Sequence, residues 1–112
     1  MHTERHFNSQ VVSADVAGPT FDLYRFVSFS FEVGVSGKSS PGSAYVLYQV
    51  SNSGSNWLDM EDTRFLIEDD SNEDVYFLED ADMGYRYVRL KFEITSGSFT
   101  ADVWFNGQER GY

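Results

Sequence analysis

The alternation of apolar and polar side chains with a period of two constrains the fold of this chain more than any other feature. It is clearest in residues 85–95, where apolar side chains recur at every second position: Val88, Leu90, Phe92 and Ile94. Successive side chains of a β-strand point to opposite faces, so this pattern predicts a strand with one face in the core. The side chains expected to face outward are Tyr85, Tyr87, Arg89 and Lys91.

The same alternation recurs along the chain, and no window shows the i, i+3, i+4, i+7 spacing of an amphipathic helix. Further strands are predicted at residues 10–15, 21–35, 43–51, 57–60, 64–68, 74–78 and 99–105. Turns rich in glycine and serine separate many of them. Roughly seven or eight short strands at this spacing are typical of an all-β antiparallel β-sandwich, and we expect a jelly-roll-like arrangement.

The length of 112 residues suits a single β-sandwich domain, residues 1–112, because the chain can bury one core and is too short for two. Residues 1–9 are predicted to form an extended N-terminal arm. The two histidines, His2 and His6, fall in this arm, where an imidazole is expected to be solvated. No stretch is apolar enough to cross a bilayer, and we expect no signal peptide at the N-terminus.

The negative charge is concentrated between Asp59 and Asp82. The net charge of the chain is −10, and this segment alone holds eleven acidic residues and one basic residue, Arg64. Such a segment repels phosphate backbones, so we expect no nucleic-acid partner. It is interpreted either as solvated loops and strand edges or as a surface that binds cations or a basic partner. The candidate residues of this acidic patch are Asp69, Asp70, Asp74, Asp80 and Asp82.

The sequence offers little for catalysis or for a dedicated metal site. It contains no cysteine, which excludes thiolate ligands, cysteine nucleophiles and disulfides. No nucleophile or zinc motif is present, so we expect no enzyme and no catalytic residue. Asp70, Asn72 and Asp74 have the spacing that opens a calcium loop, but Val75 and Ala81 stand where that loop needs Gly and Glu. We expect no cofactor and no metal site, with a looser calcium site in the acidic patch as the alternative.

Aromatic and basic side chains fall together on the predicted outer faces. Tyr87 and Trp104 are expected to point outward from two strands that adjoin in sequence and pair as a hairpin. Three interpretations are open for these rings: a protein–protein interface, a sugar-stacking platform, or partial covering by the two sheets of the chain itself. The candidate interface comprises Tyr45, Leu47, Tyr85, Tyr87, Arg89 and Trp104.

Several motifs resemble a family of small virion proteins of tailed bacteriophages. Their order is S-N-S-G-S-N-W at 51–57, an acidic stretch, D-M-G-Y-R-Y-V-R-L at 82–90, T-S-G-S at 95–98 and N-G at 106–107. Ser53 stands where this family usually has Asp in S-N-D-G, which argues against a ligand or calcium role for the turn. The same order of Ser, Gly and Trp before R-Y-V-R also resembles discoidin-like jelly-roll domains, a more distant likeness.

The resemblance to the phage family implies a virion structural protein, and a capsid decoration (cement) protein is the expected type. Such a protein binds the major capsid protein or other virion proteins, stabilises the head lattice and, at a three-fold site, forms a homotrimer. The implied location is the virion, on the capsid surface in preference to the neck or tail, after synthesis in the host cytoplasm and without membrane contact. The discoidin likeness implies the alternative, a carbohydrate-binding module on a virion tail fibre or a cell surface.

Overall fold

Two antiparallel β-sheets face each other in the computed structural model of this chain. The structure describes residues 2–39, 44–67, 73–81 and 84–109, with residues 2 and 73–81 described by their backbone alone. Ten strands lie within these ranges: β1 (His2–Val12), β2 (Val16–Ala17), β3 (Phe21–Asp22), β4 (Phe26–Ser36), β5 (Ala44–Ser51), β6 (Leu58–Asp59), β7 (Phe65–Ile67), β8 (Glu73–Ala81), β9 (Tyr87–Ile94) and β10 (Phe99–Glu109). Two short 3₁₀ turns, Leu23–Arg25 and Glu61–Thr63, interrupt them.

The strand order is that of a jelly roll. The first sheet has the order β1-β10-β4-β8, and the second has the order β2-β9-β5-β6, with β3 also beside β9 and β7 also beside β5. When β2 with β3 and β6 with β7 are each counted as one interrupted strand, the two sheets read 1-8-3-6 and 2-7-4-5. Strands consecutive in sequence therefore alternate between the sheets, except strands 4 and 5 of this count, which pair within the second sheet, as in a double Greek key. The predicted all-β sandwich with a jelly-roll-like arrangement is confirmed.

The core lies between the sheets and is built from alternate residues of the long strands. In β9, Val88, Leu90 and Phe92 are fully buried. The residues between them are half-buried on the other face, as the alternation predicts. Aromatic rings dominate the core: Phe21 stacks on Phe105 with ring centres 4.0 Å apart. Burying each such ring stabilises the fold by about 1.5–3 kcal/mol, and this explains how a chain without disulfides holds together.

The N-terminal residues form an edge strand and not the extended arm that we predicted. β1 pairs with β10 from His2 opposite Gly107 to Val12 opposite Phe99. The register shifts between Arg5 and Phe7. The consecutive side chains of His6 and Phe7 consequently both lie inside the sandwich, at 6% and 3% exposure. The expectation that the histidines are solvated is therefore wrong for His6, because a strand irregularity turns its ring into the core.

The last strand extends beyond its predicted end at residue 105, through the N-G pair to Glu109. Gly107 pairs with Phe29 in β4 and lies against the ring of Phe26. A Cβ atom at position 107 would lie 2.4 Å from that ring. Glycine serves here to admit an aromatic ring against the strand and not to make a turn.

β9 and β10 do not form the predicted hairpin, because they belong to different sheets. Each strand buries one apolar face in the shared core, so the chain crosses from one sheet to the other after Ile94. Tyr87 and Trp104 therefore lie on opposite outer faces of the sandwich. Among the residues that the structure describes, no helix has the length and apolarity needed to span a bilayer.

Candidate functional site

The two motifs that carry the family resemblance lie against each other in the second sheet. The turn that links β5 and β6 contains S-N-S-G-S-N-W, and the start of β9 contains Y-R-Y-V-R. Ser51 is the register partner of Tyr87. The Asn52 side-chain oxygen accepts the Arg86 main-chain N–H at 3.2 Å. Residues separated by more than thirty positions in sequence thus form one cluster, which we call the motif cluster (residues 51–57 and 85–89).

Two serine hydroxyls shape the turn of the motif cluster. The Ser51 hydroxyl accepts the main-chain N–H groups of Ser53 and Gly54 at 3.2 and 2.9 Å. The Ser53 hydroxyl accepts those of Ser55 and Asn56 at 3.2 and 3.1 Å. Side-chain caps of this kind replace the main-chain partners that a turn lacks. Serine at position 53 therefore acts as a turn-forming residue, a role that Asp also fills.

Gly54 allows the turn to close over Tyr87. Its φ of +81° lies in the left-handed region that side chains rarely adopt, and a Cβ atom there would contact the Tyr87 ring at 3.5 Å. The ring of Tyr87 is therefore half-covered by the turn on one side. Arg86 lies near the same ring, with its guanidinium carbon 5.1 Å from the ring centre. Little of the Tyr87 ring is therefore accessible for stacking against a ligand or partner.

Each of the five arginines in the described ranges lies over an aromatic ring. The pairs and their distances from guanidinium carbon to ring centre are Arg89–Trp57 at 4.1 Å, Arg5–Trp104 at 4.7 Å, Arg86–Tyr87 at 5.1 Å, Arg25–Phe26 at 5.3 Å and Arg64–Tyr45 at 5.6 Å. A cation within about 6 Å of a ring centre is attracted by the ring quadrupole. Four of these rings lie outside the core, and Phe26 belongs to it, so most of the contacts pair outer rings and guanidinium groups of the same chain.

A polar network extends from the motif cluster across the outer face of the second sheet. Arg89 Nε donates to the Gln49 side-chain oxygen at 2.8 Å, and the Gln49 amide donates to Asp59 at 2.6 Å. Lys91 lies 3.9 Å from Asp59 and 3.1 Å from Glu93. Charge-assisted bonds that share partners in this way hold several side chains in one arrangement.

Arg64 joins the far end of this network to Glu61 and Glu93. Its Nε donates to Glu61 at 2.8 Å, and another of its nitrogens donates to Glu93. The hydrogen bonds to Glu61 and Glu93 raise the pKa of Arg64, and the bond from Arg64 lowers the pKa of Glu61. Burial lowers the pKa of Arg89, partly offset by Asp59. Within this network three cations balance three anions: Arg64, Arg89 and Lys91 against Asp59, Glu61 and Glu93.

The candidate interface residues do not form one surface. Leu47 points to the outer face yet is fully buried, and its register partner is Lys91 of the network. It is therefore unavailable for contact with another molecule in this conformation. Tyr45, Tyr87 and Arg89 are half-buried in the second sheet. Tyr85 packs against the core, so the expectation that it faces outward is wrong. Trp104 lies across the sandwich, in the first sheet. Whether any of them contacts a partner stays a prediction.

A pocket of about 330 Å³ opens at the end of the sandwich where β4 begins, a feature that sequence reasoning missed. Apolar and aromatic side chains line it, and polar groups of Ser28, Asn52 and Arg86 join them. Tyr24 and Val27 at this pocket are 77% and 40% exposed. No sequence pattern indicated the pocket, because the alternation groups Val27 with Phe29 and Phe31 as inward residues, whereas Val27 is exposed.

Most of the acidic patch lies outside the residues that the structure describes. Asp69, Asp70 and Asp82 are outside the described residues, and Asp74 and Asp80 belong to β8, where only the backbone is described. The looser calcium site therefore stays a prediction. Within the described residues, no group of three or more histidine or acidic side chains is placed to hold a metal ion.

The fold and the motif cluster together define a jelly-roll β-sandwich in which arginines lie over several of the outer aromatic rings, while Tyr24 and Phe65 stay exposed. Neither a protein-family model nor a curated protein matches the chain. The resemblance to the phage family therefore rests on the motifs alone.

Proposed function

We propose that this chain is a virion structural protein of a tailed bacteriophage, most simply a capsid decoration (cement) protein that binds the capsid lattice. The observation that carries the proposal is the motif cluster, because the segments similar to the phage family meet in space, through the pairing of Ser51 with Tyr87 and the hydrogen bond from Arg86 to Asn52. The proposal includes a homotrimer and binding to the major capsid protein.

The contact surface that we assign to this function is the pocket end, defined by Tyr24, Val27 and Tyr85. Tyr24 and Val27 carry the exposed apolar area there, and exposed apolar groups beside a concave surface are typical of interaction sites. The rings of Tyr45 and Trp104 on the outer faces are less suited, because arginine side chains lie over them. The proposed contact therefore moves from the outer sheet face to the end of the sandwich.

Antibody labelling of particles tests the function. Antibodies raised against the recombinant protein should decorate phage heads from the source culture in electron micrographs, and the protein should sediment with purified particles. Recovery of the protein only in the soluble fraction of lysed cells would contradict the proposal. Light scattering should report a trimer, and a monomer would contradict the homotrimer without removing the virion assignment.

A second test separates the assigned surface from the function. The double variant Tyr24→Ser, Val27→Ser should bind particles at least tenfold more weakly, as expected for the loss of about 1.4 kcal/mol of contact energy. Val11→Ser is the matched control, because Val11 is also an exposed apolar residue, at 66%. It lies at the opposite end of the first sheet from the pocket, opposite Thr100, which pairs with Ser36 at the end of β4. Equal loss in both variants would mean that the surface is wrongly assigned.

A carbohydrate-binding module is the second candidate, and the pocket is the observation that favours it. An exposed tyrosine ring beside amide, hydroxyl and guanidinium groups suits the alternating apolar and hydroxyl faces of a sugar. Glycan-array binding, measured with and without a chelator, tests it. Binding that is lost in Tyr24→Ala and Asn52→Ala supports this candidate, and an array without signal rejects it.

A further inference from the structure

His6 is the one buried side chain in the described ranges with an unpaired polar atom. Its ring is packed by three phenylalanines: stacked on Phe21 with centres 5.0 Å apart, tilted to Phe7 at 5.2 Å and edge-on to Phe31 at 5.2 Å. Nδ1 has no hydrogen-bond partner among the described atoms. Since a buried donor without a partner costs free energy, the position calls for an explanation.

The explanation lies at the other ring nitrogen. Nε2 accepts the main-chain N–H of Leu90 at 3.3 Å. This N–H lies where the strand beside β9 is interrupted between β2 and β3, and Gly18 there donates its own N–H to the Leu90 carbonyl at 2.8 Å. The imidazole thus stands in for a missing strand carbonyl. To accept this bond Nε2 must be unprotonated, so the proton of the neutral ring is on Nδ1.

Among the described residues, no charged group lies against the ring to compensate a positive charge. The neighbours of the ring on β1, β3, β4 and β9 are Phe7, Phe21, Phe31 and Leu90, none of which titrates. The described titratable and charged side chains on these strands lie at exposed or outward positions: Glu4, Arg5, Asp22, Glu32, Tyr87, Arg89, Lys91 and Glu93. Burial alone consequently lowers the pKa of His6 from 6.5 to about 3.

The strand that carries His6, β1, is an edge strand, and its pairing with β10 (the β1–β10 seam) is irregular. Within the described residues, β1 pairs in its sheet only with β10, and its register shifts on both sides of Phe7. On the outer side of the seam Asp102 binds Arg5 and accepts the main-chain N–H of Ser9 at 2.9 Å. The bond from Arg5 lowers the pKa of Asp102, so its charge persists in mild acid. Between neutral pH and mild acid, His6 is the group on this seam that the folded state keeps unprotonated, because its burial disfavours the charged ring.

We propose that β1 is an acid-releasable strand: protonation of His6 breaks its bond to Leu90 and detaches residues 2–12 from β10 while the remaining sandwich stays folded. Detachment lets the imidazolium reach water, and it opens the long β10 edge to pairing with another strand. The device is independent of the proposed function, since it rests on the core around His6 and not on the motif cluster.

Hydrogen exchange read by mass spectrometry on the full chain tests the proposal. For a ring that titrates near 6.5 when released and near 3 when buried, opening of β1 should become roughly 70-fold more frequent between about pH 7 and pH 4.5, after correction for intrinsic rates. Amides of β5 report global unfolding and should stay better protected than those of β1 at both pH values. Identical protection of β1 and β5 throughout would overturn the proposal.

Two variants isolate the contribution of the His6 imidazole to this pH effect. His6→Gln keeps an acceptor but does not titrate, so the pH effect on β1 should shrink to about threefold or less. His2→Gln, the matched control, should leave the pH effect unchanged. If His6→Gln does not fold, a direct NMR titration of the His6 ring decides instead: a pKa above about 5.5 overturns the proposal, because the fold would then not resist the charge.

Discussion

The guanidinium of Arg89 lies 4.1 Å above the centre of the Trp57 ring and at the same time donates from Nε to Gln49. One side chain thereby joins the turn after β5 to the middle of β9 and to β5 itself. The ring gains a cation over its face, and the cation keeps a hydrogen-bond acceptor although it is half-buried. This contact holds the two family motifs together.

Arg89→Ala should lower the free energy of unfolding by about 1–3 kcal/mol, because it removes a stacking contact and leaves the Gln49 side-chain oxygen without its donor. Urea unfolding followed by Trp fluorescence measures the loss. Arg25→Ala is the matched control: its contact with Phe26 is longer, at 5.3 Å, and its ion pair with Glu109 is exposed. That control should change stability by less than about 0.5 kcal/mol. Equal losses would show that the Trp57 contact is not special.

Gly18→Ala should destabilise the protein by about 1–3 kcal/mol. An added Cβ would lie 2.0 Å from Nε2 of His6, so the imidazole would be pushed away from the Leu90 N–H. Gly34→Ala serves as the control, because its Cβ would meet its nearest neighbour at an ordinary 3.5 Å. Thermal unfolding of both variants provides the comparison. Unchanged stability of Gly18→Ala would mean that His6 is not tightly held.

Leu47→Ala should cost about 2–5 kcal/mol of stability, as for other fully buried leucines. Binding to particles, measured at a temperature where the variant is still folded, should stay unchanged, because Leu47 is not accessible. Tyr24→Ser should show the opposite behaviour, with stability kept within about 0.5 kcal/mol and binding lost. Loss of binding in Leu47→Ala below its unfolding temperature would restore Leu47 as an interface residue.

The Asp102 carboxylate should stabilise the fold at neutral pH and lose this contribution in strong acid. The bond from Arg5 lowers the pKa of Asp102 below its ordinary 3.8. The contribution is therefore complete above the pKa of the unfolded chain and disappears as the pH falls through the lower folded pKa. The difference in unfolding free energy between the natural protein and Asp102→Asn should be largest near neutrality and shrink in strong acid. A difference that grows on acidification would contradict the sign.

Prediction from sequence succeeded where the controlling feature is local. The alternation in β9 identified Val88, Leu90 and Phe92 as core and Arg89 as outward, and the structure confirms each position. It failed for His6, because a register shift against β10 is invisible in β1 itself. The outward position of Trp104 is confirmed, but the predicted hairpin of β9 and β10 is wrong, because adjacency in sequence does not decide which sheet a strand enters.

By itself the sequence determined the all-β class, most of the long strands and most of their inward faces, since side-chain alternation is a property of neighbouring residues in one strand. Tertiary structure alone decided that the two segments of the motif cluster meet and that arginines lie over Trp57 and Trp104. It also decided that Leu47 is buried although its side chain points to the outer face, and that His6 in the core takes the place of a strand carbonyl. These features depend on pairings between residues far apart in the chain, and no short window of sequence encodes such pairings.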